Sequence, residues 1–126
     1  MNAIIKKEEQ IANNLSQKYK ADIIVSDNRY GFRSDTSINI FLTHQLVPPI
    51  PNLRKMVSSI IVKWVNRFDY CWIPDSLDEP LCADLYSTSL KIPKIRIGWL
   101  SRFEHKTLTY KFDFLLVVSG PMPERK

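Results

Sequence analysis

Residues 38–68 read INIFLTHQLVPPIPNLRKMVSSIIVKWVNRF, and this stretch decides the fold class. Its first part alternates: Ile38, Ile40 and Leu42 fall on one side, Asn39, Phe41 and Thr43 on the other, the period of a β-strand. Pro48, Pro49 and Pro51 then stop the strand, because three prolines in four positions cannot donate to a central ladder. Asn52 stands where a capping side chain belongs. Beyond it, Leu53, Met56, Val57, Ile60, Ile61, Trp64, Val65 and Phe68 recur at helical spacing, with Arg54, Lys55, Ser58, Ser59, Lys63 and Arg67 opposite. The spacing predicts a helix with an apolar stripe wide enough to lie across a sheet.

Working outward, residues 3–19 form a second amphipathic pattern. Ile4, Ile5, Ile11, Ala12, Leu15 and Tyr19 make its stripe. Ala21 to Val25 is a short β-rich run, followed by loop chemistry at Asp27, Asn28 and Gly31. On the other side, Tyr70–Ile73 reads as a short strand ended by Pro74, then comes an acidic loop, and Leu85 to Ile92 reads as an edge segment. Lys94 to Phe103 alternates, with Ile95, Ile97, Trp99 and Phe103 on one face and Lys94, Arg96, Gly98 and Arg102 on the other. Glu104 to Lys106 is turn-like, and Thr107 to Ser119 alternates again, its last part apolar on both faces. The expected fold is α+β over a single domain, residues 1–126: an antiparallel or mixed sheet of about four strands with two amphipathic helices packed on it.

Composition narrows the function classes. The 126 residues are 44% hydrophobic, enough for a core without metal or disulfide staples and too apolar for a mainly disordered chain. No apolar run is long enough to span a bilayer, so no membrane partner is expected. Met1 to Lys7 turns charged within a few residues without a signal-peptide core, which predicts an intracellular chain. Cys71 and Cys82, the only two cysteines, fit no zinc spacing and are expected to be reduced, partly buried thiols.

Enzyme signatures are missing: there is no glycine-rich phosphate loop, no nucleophile elbow and no helix with paired histidines. No catalytic residue, cofactor or metal is therefore assigned. Asp75, Asp78, Glu79 and Asp84 lack the glycine and spacing of a calcium loop and read as a solvated acidic loop. His44 and His105 stand at predicted element ends with no identifiable partner for acid–base work. The net charge of +5 carries the one chemical candidate, a basic hairpin: Lys94, Arg96 and Arg102 on one strand and Lys111 on the next. Such a face, with Tyr110 or Trp99 to stack bases, would track phosphates as a nucleic-acid-binding or RNA-cleaving domain does. The competing reading is that these charges solvate a sheet face and blunt its edge. The basic side of the 53–68 helix carries the same two readings.

The order of elements also resembles a family: an N-terminal amphipathic helix leading into a sheet, a strand from Ile38 to His44 running through prolines into a long helix, and a closing hairpin ending with Leu108 to Val118. It looks like the small tail-terminator and tail-completion proteins of tailed phages and phage-derived contractile particles. The resemblance implies a non-enzymatic protein that assembles as a homo-oligomeric ring, usually a hexamer. It implies neighbouring tail or neck proteins as partners and a place in the virion tail after synthesis in the host cytoplasm. It would make the proline link and the 27–37 and 74–91 loops subunit contacts. An interaction or immunity-type protein recognising one partner is a further reading, cytoplasmic like the nucleic-acid binder.

Overall fold

A computed structural model describes residues 2–48, 52–101 and 114. The chain runs α1 (Asn2–Tyr19), β1 (Ile23–Asp27), β2 (Ile38–Leu42), α2 (Arg54–Val65), β3 (Tyr70–Ile73), a single 3-10 turn (Ala83–Leu85) and β4 (Lys94–Arg96). The four strands form one sheet in sequence order, β1-β2-β3-β4, and every pairing is parallel.

This corrects the expectation of an antiparallel or mixed sheet. The reason lies in the connections. A five-residue strand is roughly 16 Å long, and a return to its starting end needs a connection of at least that reach. Residues 28–37 supply it between β1 and β2, and the Ile38 amide then bonds the Asp22 carbonyl at 2.8 Å, restarting beside the beginning of β1. Helix α2 carries the chain back between β2 and β3, as a crossover must for parallel neighbours. Residues 74–93 do the same between β3 and β4, where the Cys71 amide bonds the Pro93 carbonyl at 2.9 Å.

Other boundaries shift for local reasons. Asn52 does not cap α2: it takes a left-handed φ of 65°, and Leu53 occupies the cap position with no side-chain hydrogen bond. The segment Leu85 to Ile92 is turns and bends rather than an edge strand. The strand expected over Lys94 to Phe103 ends at Arg96, two residues before Gly98 at φ 80°. The hairpin turn at 104–106 and the strand at 107–119 lie outside the described residues, Phe114 apart.

The core sits on one side of the sheet. Phe41, Cys71 and Ile73 from the strands pack with Val65 of α2 and with Leu46, Phe68 and Tyr86. Phe41 is fully buried, stacked on Tyr30 at 5.2 Å and tilted against Phe68 at 5.0 Å. Helix α1 covers the 28–37 connection through buried Ile5, Ala12 and Ser16. A polar network holds it there. Glu8 accepts from Arg29 Nε and the Gly31 amide, Asn13 Oδ1 from Ser34 Oγ and the Asp35 amide, and Ser16 Oγ bonds the hydroxyls of Thr36 and Ser37. Glu9 pairs with Arg33 and Arg67, tying α1 to the end of α2. Gly31 is required by this packing, since a Cβ there would stand 2.4 Å from the Ile5 carbonyl oxygen.

Candidate functional site

Strand alternation and register sort the sheet into two faces. Ile24, Ser26, Asn39, Phe41, Cys71 and Ile73 share the core side, with Lys94 and Arg96 in register beside Cys71 and Ile73. The opposite side carries Ile23, Val25, Ile38, Ile40, Leu42, Tyr70, Trp72 and Ile95, apolar except for the exposed Asp27 at the end of β1, beside Leu42. Ile40 is buried, Leu42 and Trp72 are half-buried, and the other five lie between 39% exposed at Tyr70 and 54% at Ile23. Parallel sheets normally have both faces covered, because crossovers put helices over them. Among the described residues both helices serve the core side. Covering the five exposed side chains would contribute about 4–7 kcal/mol at the usual worth of a buried aliphatic or aromatic group.

Further apolar side chains are exposed elsewhere on the described residues. Trp99 and Leu100, in the chain leaving β4, are exposed, as are Leu53, Met56 and Ile60 of α2 and Ile4, Ile11 and Leu15 of α1. The stripe of α2 is thus buried only at its C-terminal half, around Val65 and Phe68.

The basic residues proposed from sequence are differently employed. Lys94 and Arg96 do share a face, but it is the core side. Lys94 Nζ donates to the carbonyls of Tyr86 (2.8 Å) and Thr88 (2.9 Å) and lies 5.5 Å from the centre of the Tyr86 ring. Arg96 Nη1 donates to the Ser76 carbonyl at 3.0 Å. Both heads pin the 74–92 segment. Arg102 and Lys111 lie outside the described residues, as does His105, while His44 is exposed at the end of β2.

The acidic loop contains a residue that the sequence reading missed. Asp75 is buried, and its carboxylate accepts from the amides of Ser76 (2.8 Å), Leu81 (3.1 Å) and Cys82 (3.1 Å) and from the Tyr86 hydroxyl (2.8 Å). Burial alone would raise its carboxyl, but the Tyr86 hydroxyl and the three amides outweigh it and bring it down to about 2. Burial, with the Asp75 carboxylate beside it, pushes the Tyr86 phenol up. Asp75 is therefore a staple for the loop, with its acceptor positions spent on protein donors. The available signal was its place two residues after a strand, where a carboxylate can gather the amides of a returning loop.

Cys71 is buried and Cys82 half-buried, both free. Burial pushes the Cys71 thiol up to about 11 against the opposing pull of Lys94, which keeps it protonated at neutral pH. Among the described residues no three His, Cys, Asp or Glu side chains converge as metal ligands, and no helix is long and apolar enough to cross a membrane. No protein-family model, curated protein or solved structure matches the chain.

Proposed function

We propose that this chain is a structural assembly protein whose work is done by contact between copies of itself, with the open sheet face as the contact surface. The observation that carries the reading is that face: eight apolar residues across four strands, five of them substantially exposed, interrupted only by Asp27 at the end of β1, on a sheet type that is ordinarily covered twice.

The finer form of the proposal is a ring, six copies in the first instance, completing a phage tail or a related contractile particle against neighbouring tail or neck proteins. Its support is the order of elements: α1 leading into the sheet, and β2 passing through the prolines into α2. In this reading the protein needs no catalytic group or cofactor. The nucleic-acid alternative through the 94–111 hairpin is disfavoured by the occupation of Lys94 and Arg96 with loop carbonyls.

Native mass across a concentration series tests both levels. A discrete multimer that dissociates on dilution is the expected result, and a six-copy species supports the ring. A strict monomer at all concentrations overturns self-assembly, and a closed dimer overturns the ring alone.

A further inference from the structure

A second surface lies away from the open sheet face. Helix α2 and the 86–88 segment enclose an open groove of ≈ 650 Å³, within the range of small-molecule sites. Arg54 and Lys55 stand on its helix wall with Ser58 and Ser59, and Ser87 and Thr88 face them from the other wall. Val47 and Val62 supply its apolar part.

Three features give the groove a chemical preference. Among the described residues no acidic side chain lines it and neither Arg54 nor Lys55 forms an ion pair, in contrast to Arg29, Arg33 and Arg67. Among the described residues the Arg54 guanidinium is engaged only by a long, 3.5 Å contact from Nη2 to the Asp84 carbonyl, which leaves most of its donors uncommitted there. Ser58 Oγ, on the same wall, is shielded from solvent and has no hydrogen-bond partner, an arrangement that costs free energy until an acceptor meets it. The first turn of α2 adds to the positive field, since it carries no acidic residue and no side-chain cap.

We propose that this groove binds a phosphate monoester of a small molecule. The phosphate sits between the Arg54 fork and the Lys55 ammonium, with a hydroxyl donor from Ser58 after rotation about its χ1. The organic part lies along Val47 and Val62. Guanidinium and ammonium groups together suit a doubly charged tetrahedral anion, one by paired donors and the other as a point charge. The size of the groove exceeds that of a bare ion, which is why an ester is assigned rather than free phosphate.

Calorimetric titration of the full chain with AMP and with inorganic phosphate, at constant ionic strength set by sodium chloride, tests this. AMP is expected to bind more tightly than phosphate. Replacing both cations (Arg54→Gln with Lys55→Gln) should weaken AMP by about tenfold or more, the worth of charge-assisted hydrogen bonds, with the thermal midpoint unchanged because both residues are exposed. Ser58→Ala should weaken it about threefold, the loss of one modest hydrogen bond. Lys6→Gln with Lys7→Gln, on α1, should leave it unchanged. AMP affinity that survives loss of Arg54 and Lys55 overturns the site, as does absence of binding beyond the chloride control. A single-stranded oligonucleotide that binds while AMP does not overturns the small-molecule assignment.

Discussion

The two faces of one sheet have opposite fates in this molecule. On the core side, Phe41, Cys71 and Ile73 are wholly buried beneath α2, Phe68 and Tyr86, and the polar groups there are tied into specific bonds. On the other side, Ile23, Val25, Ile38, Tyr70 and Ile95 are as apolar and as regular but are left substantially in water. The core side is the less apolar of the two, carrying Ser26, Asn39, Lys94 and Arg96, so the difference in burial comes from the connections. Both helices and both long returns, 28–37 and 74–93, are spent on one side. Apolar pattern alone does not say which partner buries it. The core side is stabilised within the chain, and the open side is built for another surface.

Substitutions can break that contrast. The largest effect is expected for Phe41→Ala, which removes a fully buried ring with two aromatic neighbours and should cost about 3–5 kcal/mol in chemical denaturation. Gly31→Ala comes next. Its Cβ would collide with the α1 backbone at Ile5, and the required displacement should cost about 1–3 kcal/mol. On the open face, Ile38→Ala should cost the monomer less than about 1 kcal/mol, because nearly half of the side chain is already in water. Equal costs for Phe41→Ala and Ile38→Ala would abolish the distinction between the faces.

Acid sharpens the same comparison at the loop. The Asp75 carboxyl lies at about 2 in the folded chain, below its ordinary value of about 3.9 in an unfolded one. Its stabilisation is therefore fully present above about pH 4 and is lost as pH falls toward 2, where the folded form also takes up the proton. Asp75→Asn should flatten that acid limb in a stability-against-pH series and lower stability at neutral pH. An unchanged acid limb would remove the staple role.

Much of this was legible in the sequence, and what escaped has physical causes. The stripes of α1 and α2 and the alternation of residues 38–42 marked real elements, because a period of 3.6 or 2 is a local property. Strand direction is not local. A five-residue apolar run pairs either way, and only the reach of residues 28–37 and 74–93 and the crossover through α2 force parallel neighbours. Asp75 looked like its neighbours Asp78 and Glu79 because its burial depends on the amides of Leu81 and Cys82 and the hydroxyl of Tyr86 folding back onto it. Lys94 and Arg96 were correctly placed on one face, but the loop that claims them carries no sequence signal of its own.

One variant tests whether the open face is the surface through which copies meet. Ile38→Lys combined with Ile95→Lys places two charges on side chains that already border water, so the fold should tolerate them. Native mass beside far-ultraviolet circular dichroism is the measurement. The expected result is a folded chain with the wild-type spectrum that stays monomeric at concentrations where the wild type is multimeric. A variant that keeps the wild-type assembly, or one that unfolds because the face is covered within a single chain, contradicts it.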